Sequence, residues 1–193
     1  QNINITAANG VEAREGSLVN ARGSVDVFSS NSDVLVSNAI AINTIDIQAF
    51  GDVTVGSLTA GDSENTGSIF VRAGATEGFA PSNVYLNGNI HSTGNIDVFS
   101  GADTVANTGA QVIADRRLQV VAGDDILVNA GALLRAANDA PPETGYGASD
   151  PLNQESQLAL YAGQLYRFNP VDQELGSIVI DGTLEAPDRT LFM

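Results

Sequence analysis

The sequence predicts an all-β protein, a single right-handed parallel β-helix (solenoid) of roughly eight coils with loop insertions, at about twenty residues per coil. Three observations lead there: apolar beats are short, turn residues punctuate them every few positions, and one phrase recurs along the chain. The densest example runs from Leu118 to Arg135, as Leu-Gln-Val-Val-Ala-Gly, then Asp-Asp-Ile-Leu-Val-Asn-Ala-Gly, then Ala-Leu-Leu-Arg. Beats that start at Leu118, Ile126 and Leu133 are too closely broken for a helix of ordinary length and suit strands of a few residues. Gly, Asn and Asp bend the chain between them because they tolerate positive φ. Three such strands and three bends make one coil.

Taken in order, the chain opens on a strand phrase, Gln1-Asn-Ile-Asn-Ile-Thr, with Ile3 and Ile5 facing the same way. Gly23-Ser-Val-Asp-Val-Phe-Ser returns almost verbatim as Gly94-Asn-Ile-Asp-Val-Phe-Ser. Looser copies begin at Ser32, Gly51, Gly67, Asn83, Gln157 and Gly176. Weaker phrases with one apolar beat fall at Gly16-Ser-Leu, Gly56-Ser-Leu, Asn89-Ile, Gly131-Ala-Leu and Gly182-Thr-Leu, as expected if broad and narrow faces alternate. Strand alternation puts Val25 and Val27, or Ile96 and Val98, on the buried side and Asp26 or Asp97 on the other. Val98→Asp is therefore expected to cost several kcal/mol, and Asp97→Val to be nearly silent.

Three stretches lose the rhythm. Thr76 to Ser82 reads as a short loop, and a smaller break runs from Arg167 to Leu175. The longest, Asn138 to Ser156, holds Pro141, Pro142 and Pro151 and almost no apolar periodicity, so it is expected to leave the coil as an excursion. Asp150-Pro151-Leu152 inside it could open one helical turn, with Asp as the cap. The domain reading is a β-helix over residues 1–187 with an excursion at 138–156, followed by a C-terminal tail at 188–193. Limited proteolysis should cut first within 138–156, because exposed polar loops are where nicking concentrates; a first cut elsewhere would place that segment in the core.

Composition narrows the function classes. The chain has 193 residues, 20 Gly, 6 Pro and 16% charged residues, enough for one domain with a turn-rich core. Its 23 acidic residues against 8 basic ones, all Arg, leave a net charge of −15. That balance argues against nucleic acid or an anionic membrane as partner, since both demand a basic face. Cys is absent, which removes thiol catalysis, thiolate metal sites and disulfides, so stability must come from a repetitive core.

The phrases Gly-Ser-Val-Asp-Val-Phe-Ser, Gly-Asp-Val-Thr-Val-Gly and Ala-Gly-Asp-Asp-Ile-Leu-Val-Asn-Ala-Gly resemble filamentous haemagglutinin-like repeats. That family comprises large bacterial exoproteins of the two-partner secretion pathway, with a right-handed parallel β-helix as shaft. The likeness covers most of residues 1–137 and 157–186. The family's secretion domain carries Asn-Pro-Asn-type motifs, and the one Asn-Pro here, Asn169-Pro170, is followed by Val171-Asp172 and does not match. The resemblance implies a piece of the shaft or a free-standing relative, extracellular or on a bacterial cell surface, and carries over no catalytic or binding residue.

Candidate chemistry is sparse. His91 is the single His, and without Cys or Lys it makes no metal cluster, while a triad would rest on it alone. The enzyme reading, a secreted polysaccharide lyase or hydrolase on the same fold, would draw on Asp115-Arg116-Arg117 and Asp124-Asp125 from neighbouring turns. Such a site needs acids and Arg converging in one groove. Ca²⁺ could use Asp62, Glu64 or Asp124-Asp125, yet the Gly-Gly-x-Gly-x-Asp nonapeptide of calcium-binding solenoids is missing. Tyr85, Tyr146, Tyr161 and Tyr166 could form a sugar platform, with ordinary packing as the simpler account. The expectation is a structural or adhesive protein with no catalytic, cofactor or metal residue. Its partner would be its own kind end to end, or adjoining coils of a longer chain, and surface carbohydrate second.

Overall fold

The computed structural model describes residues 1–74, 81–137, 157–163, 176–186 and 191–192. These residues form strands, turns and bends, with no helix among them. In chain order the first strands are β1 (Ile3–Ala7), β2 (Val11–Ala13), β3 (Val19–Ala21), β4 (Val25–Ser29), β5 (Val34–Ala41) and β6 (Thr44–Ala49). Next come β7 (Val53–Ala60), β8 (Ser68–Ala73), β9 (Val84–Leu86), β10 (Asn89–Ser92), β11 (Ile96–Ser100), β12 (Thr104–Ala106) and β13 (Gln111–Ala114). The last are β14 (Arg117–Ala122), β15 (Ile126–Val128), β16 (Leu133–Ala136), β17 (Gln157–Tyr161), β18 (Ile178–Ile180), β19 (Thr183–Glu185) and β20 (Leu191–Phe192). The expected excursion at 138–156, the break at Arg167 to Leu175, and Tyr146 and Tyr166 lie outside the described residues, as do all but Pro81 and Ser82 of the loop at 76–82. Of the expected tail, Leu191–Phe192 is described and pairs with β17.

Every strand pairs in parallel, and the strands gather in two sheets. One has eight strands in the order β1-β4-β6-β8-β11-β14-β17-β20. The other has twelve; its long strands β5 and β7 each split on the neighbouring levels into two short ones. Thus β9 continues the first half of β7 and β10 the second. The split falls where Gly56 sits in β7 and Asn87-Gly88 separates β9 from β10. A side chain on Gly56 would collide with the backbone of Ser37, so two levels of chain pass too closely for any residue but Gly. These bends are the weak phrases of the sequence.

Register explains why the repeat has its composition. One inward column of the eight-stranded sheet reads Ile3, Val25, Ile45, Ile69, Ile96, Leu118 and Leu158. The next reads Ile5, Val27, Ile47, Val71, Val98, Val120 and Leu160. The third is small throughout: Ala7, Ser29, Ala49 and Ala73, then Ser100 and Ala122. Like stacks on like because neighbouring strands are about 4.8 Å apart, which leaves room for one side chain of matching size. The inward faces of both sheets share one apolar core, within which Val25, Ile45, Ile69, Ile96 and Val98 are all 0% exposed. Each buried Val or Ile is worth roughly 1.5–3 kcal/mol.

One expectation fails. Asp97 points away from the core, as alternation requires, but it is only 4% exposed. Both of its oxygens accept hydrogen bonds from Arg117 Nη2, at 2.8 and 2.9 Å, so it belongs to a covered ion pair and is no free surface charge.

Candidate functional site

Three polar constellations stand out. The first is a groove of ≈440 Å³ bordered by Thr59, Asp62, Glu64, His91, Thr93 and Asp115. Its overhang is the loop between β7 and β8, closed at the neck by an antiparallel bridge between Gly61 and Thr66. Gly61 has φ +88, a left-handed conformation that a side chain would strain. Asp62 Oδ1 accepts the Glu64 amide at 2.9 Å, and the Asn65 amide and Nδ2 at 2.8 Å each. These donors, the Glu64 amide foremost, hold the Asp62 carboxyl below its ordinary range. Asp62 is thus the residue that folds the loop, which accounts for its place in the sequence. On the floor, His91 of β10 lies 3.1 Å from Asp115, in the turn after β13, through Nε2 and Oδ1. The pair unites residues 24 positions apart that no local motif links.

The second constellation is the outward face of β8, β11 and β14. Arg117 grips Asp97 there, while Arg72 lies 5.8 Å from the ring centres of Phe70 and of Phe99. Burial pushes the Asp97 carboxyl above its ordinary range, against the opposing pull of Arg117 and then Arg72.

The third is a ladder of Asx side chains in the turns before β5, β7, β9, β12 and β15. Asp33 Oδ1 accepts the Asp52 amide at 2.9 Å, and Asp52 Oδ1 the Asn83 amide at 2.7 Å. Asn83 Oδ1 accepts the Asp103 amide at 3.0 Å, Asp103 Oδ1 the Asp125 amide at 3.1 Å, and Asp125 Oδ1 the Ser177 amide at 2.7 Å. Each side chain satisfies a backbone N–H one level on, which the sheet ladders leave over at the bend. The sequence signal was a turn residue just before a β-branched or apolar one; its reach to the next level was invisible. Near the end of this ladder the carboxylates of Asp103, Asp124 and Asp125 offer oxygens within 4.8 Å of one another. Two of these three carboxylates, Asp103 and Asp125, already use one oxygen each to accept a backbone amide.

Three of the groups proposed for an enzyme, Asp115, Arg117 and the Asp124-Asp125 pair, lie in separate places. Asp115 faces His91, Arg117 faces Asp97 on the other sheet, and Asp124-Asp125 sit in the turn before β15. Among the described residues, no Arg borders the groove. Tyr85 and Tyr161 lie on different sheets, in β9 and β17. Comparison with protein-family models, with curated proteins and with solved structures found no match.

Proposed function

We propose that this chain is a structural or adhesive segment of an extracellular shaft, a single right-handed parallel β-helix whose ends are covered by further coils. Handedness follows the strong preference of parallel crossovers, and the eight parallel strands of one sheet correspond to roughly eight coils. The extracellular, bacterial-surface setting rests on the filamentous haemagglutinin-like phrases. The supporting observation is how the core loses its cover at the outermost strands. Ile180 is an inward position left 37% exposed, whereas its register partner Val128 is 1% exposed. Ile3 and Ile5 are half-buried, whereas Val25 and Val27 beside them are 0% and 1% exposed. One more strand on each column would complete it, and an unpaired strand edge is a template for another chain. Two such edges give a head-to-tail contact that does not close, and hence a filament. The groove beside His91 is what a carbohydrate-active enzyme would use; no Arg borders it among the described residues, which leaves that reading with less support.

Sedimentation velocity and electron microscopy of the 193-residue chain test the proposal. The chain should form end-to-end assemblies that grow with added salt, because the −15 charge on each copy must be screened. Lys at both Ile3 and Ile5 should abolish assembly and leave the circular dichroism of the sheets intact. A wild-type chain that stays monomeric at high concentration, or unchanged filaments from the Lys variant, would sink it.

A further inference from the structure

The outward rows of the sheets differ in their charge. On the eight-stranded sheet the row Asp26, Asp46, Phe70, Asp97 mixes carboxylates with an aromatic ring. On the branch through β10 the row Thr59, His91, Ile113, Arg135 is mixed as well. A third row starts at Glu12 on β2, then crosses β5, β7, β9, β12, β15 and β18, where it reads Leu35, Thr54, Tyr85, Val105, Leu127 and Val179. Past Glu12 it bears no charge along these six strands, about 24 Å at about 4.8 Å per strand. All six side chains face away from the core, and Val179 is 46% exposed. Two residues back on every strand but the last stands a member of the Asx ladder: Asp33, Asp52, Asn83, Asp103 and Asp125. An apolar stripe therefore runs beside an acidic rail, about 6.7 Å away across one two-residue strand step.

We propose that this face docks a partner protein through an amphipathic helix with an apolar stripe and Lys or Arg along one side of it. Charge selects the partner. A second copy of this chain brings −15 and the same acidic rail to the face, whereas a basic segment is drawn to it. Pitch selects the helix. A helix repeats its apolar face about every 5.4 Å, close to the 4.8 Å between strands, while an extended strand repeats its own only about every 6.7 Å. This site is independent of the ends and stands whether or not they stack.

The probe is a synthetic helical peptide of Leu, Lys and Ala, about five turns long, measured by fluorescence anisotropy on the intact chain. Replacing Val105 and Leu127 by Ser should weaken binding at least about tenfold. Asp103→Asn with Asp125→Asn should do the same, with the ladder kept, since Asn83 already makes that hydrogen bond. Asp26→Asn with Asp46→Asn removes equal charge from the other sheet and should change binding less than about twofold. Equal losses from the two Asp pairs would reduce the effect to general attraction, and unchanged binding by the Ser variant would remove the stripe; either overturns the proposal. So would equal binding of the peptide with Glu for Lys, or peptide-free self-association that the Ser variant abolishes, which would assign the stripe to a second copy. Should the Ser variant fail to fold, the comparison of the two Asp pairs decides alone.

Discussion

Val98→Asp should remove about 4 kcal/mol or more of folding stability, a large part of the 5–15 kcal/mol that a domain possesses. Val98 is 0% exposed and sits between Val71 and Val120 in an inward column of apolar residues. The substitution forfeits the burial of a Val, roughly 1.5–3 kcal/mol. It also sets a carboxylate among alkyl groups with no donor in reach, costing several kcal/mol whether it stays charged or takes up a proton. Neither neighbour can relax, because each is held by its own strand at about 4.8 Å. The urea midpoint should fall sharply, or the chain should be unfolded in buffer. A midpoint matching wild type would mean that the column is not the core.

How much of this was legible in the sequence depends on the separation of the partners. Val25, Val27, Ile96 and Val98 could be assigned inward from period-two alternation alone, because the signal lies within one strand. The bends were legible too, since Gly and Asx mark them locally. What failed was a pair of nearly identical phrases. Gly23-Ser-Val-Asp-Val-Phe-Ser and Gly94-Asn-Ile-Asp-Val-Phe-Ser place Asp26 and Asp97 alike on the strand, yet Asp26 is exposed and Asp97 is buried. The difference comes from neighbouring strands. Asp26 lies between Asn4 and Asp46, whereas Asp97 lies between Phe70 and Gln119, with Arg117 close enough to hold it. The groove pair is of the same kind, with His91 and Asp115 separated by 24 residues. A local phrase fixes which face a side chain takes; only the register fixes what it meets there.

Asp97→Val is the sharpest test of that difference, and it should cost about 1–2 kcal/mol where alternation alone expects silence. Val suits an outward strand position between Phe70 and Gln119, so shape and propensity are not the problem. The loss lies with Arg117, whose Nη2 donates to both carboxylate oxygens and whose Nε has no acceptor. Its side chain is 36% exposed, so water takes over part of the lost bonding and keeps the cost below that of a fully buried pair. Adding Arg117→Leu to Asp97→Val should return stability to the wild-type level or above, because it removes the stranded cation. pH separates this pair from an ordinary surface bridge. Burial raises the Asp97 carboxyl above its unfolded value, so the folded chain binds the proton more tightly. The stabilising contribution is therefore complete below the ordinary Asp range, near pH 3.9, and is lost as pH rises through the elevated folded value. The urea-derived stability of wild type minus that of Asp97→Asn should be largest in acid and shrink toward neutral pH. A difference that grows toward neutral pH would show that Arg117 and Arg72 outweigh burial at this carboxylate.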